Sequence, residues 1–239
     1  MPQNPLLSIV LPTWNAAAHL ARTLAAIRES GLGAEYEILV ADGGSTDGTQ
    51  AIAKSFGAEI LPAPAGTQTA ARPPGRGSQL RAGAHAARGQ WLFFLHADSA
   101  PTPQWAAAVD AFMGAPENTR KAAAFRFALA SAAPSARRLE KIVAWRCRLF
   151  GLPYGDQGLL LSRALYQAMG GYGSLPIMED VEFVRRLGRA RLCLLAQPLA
   201  TSAERYEQDG YWRRPFRNLL CLALYFLGVP PRQLRRLYG

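Results

Sequence analysis

What most constrains this chain is the alternation of short apolar runs with helix-spaced segments through its first hundred residues. Leu6 to Leu11, Glu37 to Ala41, Ala58 to Leu61 and Trp91 to Leu95 read as strands: short apolar runs that end on polar or turn-forming residues. Between them His19, Leu20, Leu24 and Ile27 recur at helical spacing until Gly31, Thr46 to Phe56 reads as a second helix, and Gln79 to Arg88 as a third. Strands joined by crossover helices form a parallel sheet flanked by helices. The expected fold class is therefore α/β, with a doubly wound, mostly parallel central sheet. A Pro/Gly-rich loop from Pro62 to Gly77, expected to be mobile, interrupts the pattern. Beyond Leu95 the rhythm weakens. Ala122 to Leu129 and Leu159 to Leu161 are expected strands, and Arg137 to Phe150 and Val181 to Leu187 expected helices.

A chain of 239 residues can bury a sizeable core, and a hydrophobic fraction of 49% with 18% charged residues excludes a disordered or fibrous class. We expect one large domain over 1–205, followed over 206–239 by a basic and apolar helical extension packed on the domain, on a dimer partner or on a membrane surface. Cys147, Cys193 and Cys221 are odd in number and far apart, so neither a disulfide framework nor a zinc knuckle is indicated. Met1 to Pro5 lacks a basic region followed by an apolar one, which favours the cytoplasm over secretion. Leu219 to Val229 is far shorter than the ~20 residues a spanning helix needs. For Leu219 to Leu227, burial or dimerisation is favoured over lipid, and peripheral contact with the inner membrane face stays open.

The formal net charge of +10 is carried mostly by arginine and attracts phosphate-rich ligands, nucleic acid or anionic headgroups. In open parallel sheets, ligands bind beyond the carboxyl ends of the strands, so the polar residues just after each apolar run are the candidates. They are Pro12-Thr13-Trp14-Asn15, the segment Asp42 to Thr49, and His96-Ala97-Asp98. Asp42 can accept hydrogen bonds from a base or ribose while Gly43 and Gly44 allow close approach, but a capped turn explains the same residues equally well. On an extended strand end, His96 and Asp98 point the same way, a geometry able to hold one Mg²⁺ or Mn²⁺ together with diphosphate oxygens. Taken alone, a strand-end His-x-Asp is more often structural, and Trp14 more often core filler.

Together, Ser8-Ile9-Val10-Leu11-Pro12-Thr13-Trp14-Asn15, the Asp42 to Thr49 segment, His96-Ala97-Asp98 and Met178-Glu179-Asp180-Val181-Glu182 resemble the family 2 glycosyltransferases of GT-A fold. The motifs around Gly75-Arg76-Gly77 and Gly155-Asp156-Gln157-Gly158 resemble a bacterial subgroup associated with radical-SAM and selenium-type gene neighbourhoods. The resemblance implies a nucleotide diphosphate-sugar donor, a hydroxyl acceptor, a divalent cation and inverting transfer. By the same resemblance, Pro12, Thr13, Asn15, Asp42, Arg76 and Asp98 would line the nucleotide, and Trp14, Asp156 and Gln157 would border donor sugar and acceptor, although a turn residue explains Asp156 equally well. Asp98 with His96 would hold Mn²⁺ or Mg²⁺, although the usual motif is Asp-x-Asp. Asp180, beside Glu179, would be the base that deprotonates the acceptor. On residues alone, Glu179-Asp180 reads as charge complementing a helix start.

A dinucleotide-dependent dehydrogenase would need glycines directly after the first strand, and none stands there. A nucleotidyltransferase would need a Gly-rich phosphate loop with a following lysine. No nucleic-acid partner is expected, because the arginines form no single stripe interleaved with aromatics outside Tyr211 to Arg217. The alternative kept open is a nucleic-acid or anionic-surface binding protein on a catalytically inactive GT-A scaffold.

Overall fold

The computed structural model describes residues 5–62 and 75–238. Its first half follows the expected alternation: β1 (Leu7–Thr13), α1 (Ala17–Glu29), β2 (Tyr36–Asp42), α2 (Thr49–Ser55), β3 (Glu59–Leu61), α3 (Arg76–Ala86) and β4 (Trp91–Phe94). β1 lies between β2 and β4 and is parallel to both, and β2 is parallel to β3. Because β1 is covered on both faces, it is apolar on both. Leu7, Ile9 and Leu11 pack with Leu20 and Leu24 of α1, whereas Val10 packs with Leu80 and Ala84 of α3.

The second half adds β5 (Ser99–Ala100), α4 (Pro103–Gly114), β6 (Ala122–Leu129), α5 (Pro134–Phe150), β7 (Leu159–Ser162), α6 (Arg163–Ala168), α7 (Glu179–Leu187), β8 (Leu192–Thr201), α8 (Glu204–Asp209), α9 (Arg213–Phe226) and α10 (Pro231–Tyr238). All eight strands form one sheet in the order β3-β2-β1-β4-β7-β6-β8-β5. β7 runs antiparallel to both β4 and β6, and β6 and β8 are parallel. The sheet is thus mostly parallel, with an antiparallel insert where the regular alternation stops.

Several elements differ from the sequence reading for identifiable reasons. The helix expected from Gln79 starts at Arg76, so the expected loop from Pro62 to Gly77 ends earlier; its residues 63–74 lie outside the described residues. α4 was not anticipated, although Thr102 caps it through a hydrogen bond from Trp105 N–H and Pro103 occupies its first turn. β8 carries Pro198 in its interior and shifts register against β6 between Ala124 and Arg126, which hides it as a strand. α8 runs across the boundary expected at residue 205. The favoured burial of Leu219 to Leu227 holds for Cys221 and Leu222, whereas Leu219 is 60% and Leu227 80% exposed. No helix among the described residues is long and apolar enough to cross a membrane.

Candidate active site

The carboxyl ends of β1, β2 and β4 lie side by side, with Thr13 directly opposite Asp42 in the register. Buried Gln79, on α3, fastens two of these ends: its amide donates to the carbonyls of Thr13 at 2.6 Å and Ala41 at 2.9 Å. Above them opens a cleft of about 340 Å³. Pro12, Thr13, Trp14 and Asn15 form a wall at the end of β1, and Arg76, His96, Asp98, Glu179 and Asp180 line the same cleft. Four stretches far apart in sequence therefore meet in one cavity. Asn15 (φ 48°) and Met178 (φ 63°) are the non-glycine residues with positive φ among the described residues, and both line this cleft. Each conformation costs about 1–3 kcal/mol, a strain typical of functional sites.

His96 and Asp98 sit on a turn between β4 and β5, not on an extended strand end, because β4 stops at Phe94. Their side chains still come together, Nδ1 to Oδ1 at 4.0 Å. The turn is pinned from below by Thr23 of α1, whose hydroxyl donates to the carbonyls of Ala97 and Ser99 at 2.7 and 2.8 Å. Burial, assisted by Arg76 and opposed by Asp98, holds the His96 imidazole well below its ordinary range, so it is neutral at physiological pH.

Asp180 stands in the first turn of α7, and each of its oxygens accepts a backbone N–H: Oδ2 from Gly155 at 2.8 Å and Oδ1 from Val181 at 2.7 Å. The same Gly155 touches the imidazole, since a Cβ placed there would stand 2.7 Å from His96 Nε2. Glu179 is 2% exposed and lies 3.7 Å from the Arg76 guanidinium. Burial raises its carboxyl above the usual range, Arg76 opposes that, and Asp180 adds to it. The glycines flanking Arg76 make this approach possible: a Cβ on Gly75 would meet Leu175 O at 2.5 Å, and one on Gly77 would collide with Gly173 O.

Three residues expected at the site do not line the cleft. Asp42 is 1% exposed, and its carboxylate accepts hydrogen bonds from Thr13, Gly44, Ser45 and Gln50. Burial alone would raise its pKa, but the bonds from Ser45, Gln50 and Thr13 outweigh that and lower it. As the chain stands, Asp42 builds the loop, the capped-turn reading of these residues. Gln157 is likewise turned inward, donating to Phe125 O at 2.8 Å and accepting from Tyr154 N–H. Its expected contact with substrate is corrected to a structural role, because both ends of its amide are taken. Asp156 lies behind the wall: its Oδ1 is buried without a hydrogen-bond partner, and burial lifts its pKa to about 6, with Arg146 opposing and Asp180 and Asp98 adding to the rise.

Polar residues that line the cleft without having been expected there include His19 of α1, Gln79 of α3, Tyr154, Arg205 of α8, Asn218 of α9 and Arg235 of α10. For Arg205 the sequence offers the Arg-rich stretch Thr201 to Asn218, able to cover a diphosphate, and for Arg235 the clustering of arginines late in the chain; His19 and Asn218 carry no such signal. His19 is tied to Glu204 at 3.0 Å, which draws α8 to the rim.

The arrangement suits a divalent cation that takes few protein ligands. Among the described residues, no group of three or more His, Cys, Asp or Glu side chains could enclose a metal, which excludes a closed structural site. What is present is one neutral imidazole and one carboxylate facing a cleft with basic side chains, a donor set that leaves most positions to ligand oxygens.

Residues 8–119 match the model of glycosyl transferase family 2. The matched segment contains the Pro12 wall, the Asp42 loop and the His96 turn, and the fold is that of GT-A glycosyltransferases. The chain is 45% identical over 53 residues to validoxylamine A glucosyltransferase of Streptomyces hygroscopicus subsp. jinggangensis, an alignment covering 22% of this chain and 13% of that protein. The chain thus spans only a small part of that relative's length. Glucosyl-3-phosphoglycerate synthase of Mycobacterium tuberculosis, solved with Mn²⁺, UDP and glucosyl-3-phosphoglycerate, superposes with a TM-score of 0.58 at 22% identity, over 90% of this chain and 79% of that one. The mannosyltransferase PcManGT of Pyrobaculum calidifontis, solved with GDP-mannose and Mn²⁺, gives 0.64 at 16% identity, over 90% and 61%.

Proposed function

We propose that this protein transfers a sugar from a nucleotide diphosphate-sugar to a hydroxyl acceptor, with inversion at the anomeric carbon. The observation that carries the reading is the convergence of Pro12 to Asn15, Arg76, His96, Asp98, Glu179 and Asp180 on one cleft built partly from the matched segment. The structural neighbours solved with Mn²⁺ and UDP or GDP-mannose support a donor of this chemical class.

In this reading the β1 wall seats the nucleotide, and Arg76 neutralises part of the diphosphate charge. Asp98 and neutral His96 hold a divalent cation, whose contribution when bound is to offset the charge of the leaving diphosphate. Asp180 accepts the acceptor's proton. A sugar hydroxyl is a poor nucleophile, and a carboxylate whose two oxygens are fixed by Gly155 and Val181 is positioned to relieve it of that proton. Glu179, buried against Arg76, keeps the guanidinium aimed into the cleft. Trp14, 49% exposed at the rim, offers a face for the acceptor sugar.

A thermal-shift screen of UDP-, GDP- and dTDP-sugars with and without Mn²⁺ tests this reading. A donor that raises the melting temperature only with the metal supports it and names the base. A flat response across the panel contradicts it.

A further inference from the structure

The C-terminal helices and α5 leave large apolar side chains uncovered. On α9 and just beyond it, Phe216 is 69%, Leu219 60% and Leu227 80% exposed, and Trp212 at its start is 68% exposed. On α5, Ile142, Trp145 and Leu149 follow at helical spacing and are 52%, 61% and 46% exposed. α5 is seated through Ala136, Leu139, Val143 and Cys147, and Leu222 of α9 packs with Leu152, which follows α5, and with Val181 and Val184 of α7.

Basic groups predominate around these apolar side chains, and Asp209, at the end of α8, is already paired with Arg214 and Arg217 of α9. Residues 210–239 contain six arginines and no Asp or Glu. Arg213, Arg232 and Arg236 are exposed, as are Arg138, Lys141 and Arg148 on α5. A second copy of the chain meeting this face about a two-fold axis would set arginine against arginine. A surface of opposite charge with an apolar interior meets both requirements at once.

We propose that this face docks on an anionic lipid bilayer, with Trp, Phe and Leu side chains entering the headgroup region and the arginines contacting lipid phosphates. Helices of this type lie in the interface plane, and none among the described residues is long and apolar enough to cross it. α9 and α10 also supply Asn218 and Arg235 to the cleft, so docking holds the cleft mouth near the membrane surface. The proposal does not depend on glycosyl transfer.

The test is flotation of the full chain with vesicles of mixed phosphatidylglycerol and phosphatidylcholine, against vesicles of phosphatidylcholine alone. Binding is expected only with the anionic vesicles, weakening with salt and falling roughly fivefold for each of Arg232→Ala and Arg236→Ala. Brominated phosphatidylglycerol should quench tryptophan fluorescence in the wild type and much less in the double variant Trp145→Phe, Trp212→Phe. Phe216→Ser combined with Leu227→Ser should lose binding with an unchanged melting temperature. Absence of binding to anionic vesicles, equal binding to neutral ones, or a dimer in light scattering that the Phe216→Ser, Leu227→Ser variant separates would each overturn the proposal.

Discussion

Gly155 donates its backbone N–H to Oδ2 of Asp180 over 2.8 Å, and its Cα faces the His96 imidazole so closely that a Cβ there would stand 2.7 Å from Nε2. One residue without a side chain thus spaces the proposed base from the proposed metal ligand. That separation must be kept if acceptor and leaving group are to occupy opposite sides of one sugar.

Gly155→Ala should therefore disturb the chemistry more than the fold. The added methyl forces the imidazole aside or pulls the amide from Asp180, and displacements of this size cost on the order of 10²-fold in turnover. Steady-state kinetics should show kcat falling and donor KM rising, with the melting curve kept. The same losses with a collapsed melting curve would mean that Gly155 matters for folding alone.

Gln79→Leu should loosen the donor wall. The substitution leaves the Thr13 and Ala41 carbonyls without the amide that joins them, at a cost of about 1–3 kcal/mol. A lower denaturant midpoint together with weaker donor binding is expected. A change in stability with donor affinity intact would separate the two roles.

The sign of the pH dependence follows from Asp156. Its folded pKa of about 6 lies above the model-peptide value of 3.8, so the folded state holds the proton more tightly and its stability falls as pH rises between those values. Above that window the penalty is at most about 3 kcal/mol, and it is absent below about pH 4. Glu179, also raised by burial, pushes in the same direction. Asp156→Asn should raise the melting temperature of the metal-free protein at about pH 8 and hardly at all at about pH 4. A gain of the same size at both pH values would rule out burial of charge as the cause.

Much of this architecture was legible in the sequence, for a physical reason. Buried parallel strands must be apolar on both faces, so β1 and β4 stand out, and the polar residues just after them, such as Asn15 and Asp98, line the cleft, although Asn15 Oδ1 also accepts the Thr46 N–H. β8 escaped because Pro198 and a register shift break its pattern. Asp42 and Gln157 resemble site residues in sequence, yet their neighbours consume their hydrogen-bonding capacity, which only the folded arrangement shows. Arg205 and Arg235 reach the cleft because the last helices are seated through a few buried anchors such as Leu222 and Leu234, a tertiary matter with no local signature.

The central claim is that one cleft binds a metal-assisted nucleotide-sugar through Asp98 and activates an acceptor through Asp180. Calorimetric donor binding with Mn²⁺, run beside turnover for Asp98→Ala and Asp180→Asn, tests it most directly. The account predicts that Asp98→Ala abolishes metal-dependent donor binding, while Asp180→Asn binds donor like the wild type and does not turn over. Normal turnover by Asp180→Asn, or undiminished metal-dependent binding by Asp98→Ala, would contradict it.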